Sequence, residues 1–136
     1  MKRLLFLCVA NSARSQMAEG IARQLFGNLV EVYSAGSKPT VVNPFATKVL
    51  AEIGISTATH ASKSVMDLDT ASMDLIVTLC ADEVCPVVPG KVRKLHWPFP
   101  DPARPGQTEE EGLKEFRAVR EMIRAKLPEL KGHLGI

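Results

Sequence analysis

The stretch Arg3-Leu4-Leu5-Phe6-Leu7-Cys8-Val9-Ala10-Asn11-Ser12-Ala13-Arg14-Ser15 decides the fold. Residues 3–9 are a near-continuous apolar run, the pattern of a central parallel strand buried on both faces, and they end in a turn of small and polar residues. From Ser15 the period changes. Met17, Ile21 and Leu25 recur every four residues, Ala18, Ala22 and Phe26 widen the stripe, Ser15 is the expected N-cap, and Gly27 closes the segment. Strand, tight loop, helix is therefore the opening unit.

The same alternation continues outward. Leu29 to Ser34 reads as a second strand ending at Gly36, and Asn43-Pro44 opens a helix carrying Ala46, Val49, Leu50 and Ile53 before a stop at Gly54. Asp74 to Leu79 is a β-branched strand that runs directly into Cys80, and Lys91 to Trp97 is a fourth, more polar strand suited to an edge. The last helix begins with Thr108 and Glu111 in capping-box spacing and carries Leu113, Phe116, Val119, Ile123, Leu127 and Leu130 along one face. Prolines 98, 100, 102 and 105 stiffen the loop before it. Strands and helices alternating at these lengths predict an α/β fold: a parallel sheet with helices on both faces and right-handed crossovers.

At 136 residues, 46% hydrophobic and 24% charged, the chain has the profile of a single domain spanning 1–136. Its net charge of +2 is too balanced to suggest a nucleic-acid or membrane-surface binder. The start, Met1-Lys2-Arg3 before a short apolar run, only superficially copies a signal peptide, and no apolar stretch approaches the roughly 20 residues of a membrane span. The expectation is a cytoplasmic protein with reduced thiols. Three cysteines, an odd number, also argue against a fully paired set of structural bridges.

In parallel sheets ligands collect beyond the carboxyl ends of the strands, where Cys8 to Ser15, Cys80 and Asp101 all fall. A short loop entering a helix turns backbone N–H groups inward, so residues Val9, Ala10, Asn11, Ser12, Ala13 and Arg14 form a candidate oxyanion cradle. Arg14 adds a planar fork for two oxygens of a tetrahedral anion. Cys8 lies at the floor, where the helix dipole, the N–H groups and Arg14 all favour thiolate over thiol, and Ser15 is placed to bond the sulfur. The competing reading makes Cys8 a small buried hydrophobe and Arg14 a surface residue.

Cys8, five residues, then Arg14 and Ser15 resembles the signature of the low-molecular-weight tyrosine phosphatase family. A narrower resemblance rests on Asn11-Ser12, Arg14-Ser15-Gln16-Met17-Ala18-Glu19-Gly20, Tyr33-Ser34-Ala35-Gly36, Asn43-Pro44, Thr78-Leu79-Cys80, Cys85-Pro86, His96-Trp97 and Asp101-Pro102-Ala103-Arg104. These are similar to the thioredoxin-coupled arsenate reductases built on that fold. The resemblance covers nearly the whole chain and implies a four-stranded parallel sheet and reduction of arsenate to arsenite, with phosphate or sulfate as mimics. It further implies general-acid chemistry by Asp101, no bound cofactor, and thioredoxin as external reductant of a monomer. A phosphatase using Cys8, Arg14 and Asp101 alone is the alternative.

Three thiols at two loop positions suit a relay in which Cys80 attacks a Cys8 sulfur bonded to arsenic and Cys85 then takes over the disulfide. Competing readings are an ordinary buried Cys80, a zinc site of Cys80, Cys85 and His96, and Asp101-Pro102 as a simple turn. The chain departs from relatives at Ala10, where many have glycine, and at Ala13, where many have a cysteine. Its spacing from Cys80 to Cys85 is also shorter. Some relatives hold potassium through residues matching Asn11, Glu19, Ser34 and an Asp; Lys63 stands at the Asp position, and its ammonium is the expected substitute for the ion.

Overall fold

The computed structural model describes residues 1–81, 87, 88 and 90–136. Four strands, β1 (Lys2–Cys8), β2 (Val30–Gly36), β3 (Leu75–Thr78) and β4 (Arg93–His96), form one parallel sheet in the order β2-β1-β3-β4. The apolar run of the opening strand is explained by its central place. Leu4 and Phe6 enter the larger core cluster, Leu5 and Leu7 enter a second cluster on the opposite face, and all four are fully buried. The exposed charges of β4 lie at a sheet edge, where they discourage pairing with another chain.

Helices α1 (Arg14–Phe26), α2 (Pro44–Ala51), α3 (Glu109–Lys126) and α4 (Leu130–Leu134) all pack into the larger cluster, through residues such as Met17, Leu50, Phe116, Ile123 and Leu130. Phe45 at the start of α2 lies against Phe116 with ring centroids 5.5 Å apart, and a Cβ on Gly112 would strike the Phe45 ring at 2.6 Å. The opposite face carries a lighter cover. One-turn 3-10 helices at Val65–Asp67 and Thr70–Ser72 close it, with Leu68, Met73 and Val88 over Leu5, Leu7 and Ile76. Residues 55–74 are rich in Ser, Thr and Asp and lack a helical apolar stripe, which accounts for single turns in place of full helices.

The caps expected for α2 and α3 are present. Asn43 accepts from the Phe45 N–H at 2.9 Å with Pro44 in the first turn, and Thr108 and Glu111 form the reciprocal capping box. Three details differ from expectation. Leu29 belongs to a 3-10 turn before β2, Leu25 is 40% exposed, and α1 begins at Arg14 with Ala13 at its N-cap, so Ser15 is not the cap. The last difference has a chemical reason: Ser15 lies in the first turn, and its hydroxyl is used inside the site.

In register, Cys8 pairs with Gly36, Leu7 with Thr78, and Thr78 with His96, so the strands end level with one another. The chain leaves β1 toward β2 on one side and returns to β3 on the other, making β1 and β3 the switch point where such sheets bind ligands. No helix among the described residues is long and apolar enough to cross a membrane.

Candidate active site

Cys8 ends β1 as a buried free thiol, and the loop after it is held from outside. The Val9 carbonyl accepts from Lys38 N–H at 2.9 Å, Ala10 from Thr40 at 3.1 Å, Ser12 from Asn43 at 2.9 Å, and Ala13 from Met17 at 2.9 Å. The Asn11 carbonyl takes the Ser62 hydroxyl at 2.6 Å and Gln16 Nε2 at 3.0 Å. Its carbonyls are thus engaged by neighbouring segments, and the loop leads into the start of α1, which has no side-chain cap. Gly36 makes this belt possible: a Cβ there would overlap the Val9 carbonyl oxygen and approach that of Cys8 at 2.8 Å.

Asn11 turns the loop. It is the one non-glycine residue with positive φ among those described, at 49°, a conformation Asn tolerates better than most side chains. Its Oδ1 accepts from Lys63 N–H at 2.8 Å, and its Nδ2 donates to Ser15 Oγ at 2.8 Å and Ser34 Oγ at 2.9 Å. Ser34, having accepted from Asn11, donates to Glu19 Oε1 at 2.5 Å, and Ser15 Oγ, which also accepts from Asn11, lies 3.0 Å from Cys8 Sγ, so its proton can serve the sulfur when Cys8 is a thiolate. A buried carboxylate is thus connected, through the side chains of Ser34, Asn11 and Ser15, to the Cys8 sulfur.

Glu19 is 1% exposed and also meets Arg23 at 3.1 Å, His60 Nε2 at 3.7 Å and Lys63 Nζ at 3.8 Å. His60 Nδ1 bonds Gln16 Oε1 at 3.0 Å; because Gln16 Nε2 already donates to two carbonyls, its oxygen accepts, and His60 carries its proton on Nδ1. Burial holds the His60 pKa below its ordinary value; Glu19 opposes this, while Arg23 and Lys63 add to it. The Lys63 ammonium donates to the Ala61 carbonyl at 2.7 Å and points at the same carboxylate. This donor set does not fit a potassium ion, since a fixed cation already faces Glu19.

Arg14, 6% exposed at its side chain, reaches across the sheet end. Its Nη1 donates to the Phe99 carbonyl at 3.1 Å and the Leu79 carbonyl at 3.4 Å, and its Nη2 lies 3.7 Å from Asp101 Oδ2. One guanidinium therefore links the loops that follow β1, β3 and β4. Asp101 is half exposed and accepts from its own Ala103 N–H at 3.0 Å. Cys80, directly after Leu79, is 1% exposed and disulfide-bonded. Cys85 lies outside the described residues. His96 Nδ1 is engaged with Thr78 Oγ1 at 2.7 Å, and the described residues contain no group of three or more His, Cys, Asp or Glu able to hold a metal.

The site thus brings together Cys8, the 9–14 loop, Arg14, Ser15 and Asp101, with Cys80 at the end of the neighbouring strand. Sequence reasoning missed Gln16, His60, Ser62 and the belt at 38–43. The available signal was small: Gln16 and Glu19 are polar residues three apart on a helix whose neighbours are apolar, a spacing that puts both on one face.

Comparison with known proteins gives four findings. A family model described as low molecular weight phosphotyrosine protein phosphatase matches residues 3–135. An arsenate reductase of Bacillus subtilis (strain 168) is 45% identical over 131 residues, spanning 94% of this chain and 94% of that protein. A solved structure described as an arsenate reductase in the phosphate binding state has a TM-score of 0.84 at 28% identity, over 98% of this chain and 99% of that one. A thioredoxin-dependent arsenate reductase of Corynebacterium glutamicum has a TM-score of 0.71 at 27% identity, over 96% of this chain and 62% of that one.

Proposed function

We propose that this chain, which belongs to the low molecular weight phosphotyrosine protein phosphatase family, reduces arsenate to arsenite and passes the oxidation to thioredoxin. The observation that carries the reading is the division of labour between thiols: Cys8 is a free thiol on the anion loop, while Cys80, one strand away, is disulfide-bonded. A phosphatase needs only the first.

Arsenate sits on the N–H groups of residues 9–14 with two oxygens on Arg14. Cys8 thiolate attacks arsenic, an S–As bond forms, and one oxygen leaves as water on taking a proton from Asp101. Cys80 thiolate then attacks Cys8 sulfur. The S–S bond forms as the S–As bond breaks, its electron pair goes to arsenic, and arsenic leaves in the trivalent state as arsenite. Cys85 attacks Cys80 in turn, freeing Cys8 and leaving Cys80–Cys85 for the dithiol of thioredoxin. Ser15 steadies the Cys8 thiolate, and Lys63 supplies by covalent means the cation that balances Glu19, so activity is independent of added potassium. The enzyme works in the cytoplasm, where thioredoxin is kept reduced, and acts as a monomer.

A phosphomonoesterase side activity uses the same Cys8, Arg14 and Asp101, because phosphate and arsenate share shape and charge. The deciding assay follows NADPH oxidation with arsenate, thioredoxin and thioredoxin reductase. The parent turns over, and Cys8→Ser, Cys80→Ser and Cys85→Ser each abolish turnover. Parent-like rates for Cys80→Ser and Cys85→Ser would refute the relay, and hydrolysis of an aryl phosphate with no arsenate reduction would favour the phosphatase.

A further inference from the structure

Beyond Arg14, the turn that follows Asp101 is gripped by the side chain of Gln107. Gln107, one residue before the Thr108 cap of α3, donates from Nε2 to the Pro102 carbonyl at 2.6 Å and accepts at Oε1 from the Arg104 N–H at 3.2 Å. The orientation of its amide is unambiguous, because Pro102 offers only a carbonyl and the Arg104 backbone contact only an N–H. Glu115, two turns into α3, completes the clamp: one oxygen accepts from Gln107 Nε2 at 3.1 Å, and the other pairs with the Arg104 guanidinium at 3.0 Å.

The clamp closes around the segment that aims Asp101. Pro102 is buried, Ala103 N–H bonds Asp101 Oδ1 at 3.0 Å, and Asp101 Oδ2 lies 3.7 Å from Arg14. Prolines at 98, 100, 102 and 105 limit how far the loop bends, but none of them donates a hydrogen bond, so polar anchoring of the loop to α3 falls to Gln107 and Glu115. We infer that Gln107 and Glu115 are positioning residues for proton transfer: they hold the 101–104 turn so that the Asp101 carboxyl faces the leaving oxygen at Arg14. This rests on the reading of Asp101 as general acid and deepens it. Glu115 acts on the reaction from a helix that touches no reacting atom.

The test is a double-mutant cycle. Gln107→Glu keeps the volume but sets an acceptor against the Pro102 carbonyl and a negative charge beside Glu115. Arsenate kcat is expected to fall about tenfold with KM within about twofold, against about 100-fold for Asp101→Asn. The pair Asp101→Asn with Gln107→Glu is expected to be no slower than Asp101→Asn alone, because an acid already absent cannot be misplaced. Alkylation of Cys8 by iodoacetamide proceeds at the parent rate in Gln107→Glu. A further tenfold loss in the double variant, or a parent-like kcat in Gln107→Glu, would overturn the proposal. A second measurement needs no turnover, so it separates this inference from the arsenate reading. Amide hydrogen exchange at Ala103 and Arg104 accelerates at least about tenfold in Gln107→Ala while the interior amides of α3 are unchanged; unchanged exchange at both residues would equally refute the clamp.

Discussion

Asn11 concentrates the demands of the site in one side chain. It must accept a positive φ, donate twice to the serines that connect Cys8 with Glu19, and accept from Lys63 across the belt. Asn11→Ala leaves those buried partners unsatisfied and strains the backbone, an expected loss of about 2–4 kcal/mol in stability. Asn11→Gly relieves the backbone but not the amide contacts, so it should fall between Ala and the parent in urea denaturation. Equal stability of all three would show the amide to be idle. At this scale the sequence is partly legible. Cys8, Arg14 and Ser15 stand in one contiguous stretch whose spacing has a chemical meaning, but Gln16 meets His60 and Asn11 meets Ser62 over gaps of 44 and 51 residues. Buried polar contacts of that span leave no periodicity to read.

Elements add a second layer, in which α1 and α3 supply what the loops need. Phe116 is fully buried where α3 crosses Phe45 of α2, so Phe116→Ala is expected to cost about 3–5 kcal/mol by chemical denaturation, with a cost under about 1 kcal/mol refuting its place in the core. The polar side of α1 gives a pH dependence. Burial keeps the His60 imidazole neutral in the folded chain, with its pKa below the ordinary 6.5. The unfolded chain therefore binds the proton first: stability is full above about pH 6.5 and declines as the pH falls from there toward the folded-state value. Glu19, Arg23 and Lys63 all face this ring, and Glu19 moderates the decline by attracting the proton. His60→Gln should lose less stability than the parent between pH 7.5 and 5.5, and identical losses would contradict the assignment. The α-helices and strands were readable from apolar period and caps because those patterns reflect burial. The cover at 55–74 was not, since single 3-10 turns are too short to impose a period, and the N-terminus of α1 defied the usual cap because Ser15 bonds Cys8 and Asn11 inside the site.

For the molecule as a whole, parallel strands ending level bring loops from three distant segments to one edge, and Arg14 ties them together through Leu79, Phe99 and Asp101. A net charge of +2 is no obstacle to binding a highly charged anion, because the charge that matters is local. In the proposed relay the oxidation arising at Cys8 ends elsewhere, leaving the 9–14 loop ready for another cycle. That relay is tested most directly by a single turnover: fully reduced protein is mixed with excess arsenate in the absence of thioredoxin, quenched by acid and thiol alkylation, and mapped by peptide mass spectrometry alongside quantitation of arsenite. The relay should yield one arsenite per chain, alkylated Cys8, and a disulfide joining Cys80 to Cys85. A chain that releases no arsenite, or that ends with Cys8 held in the disulfide, would contradict it.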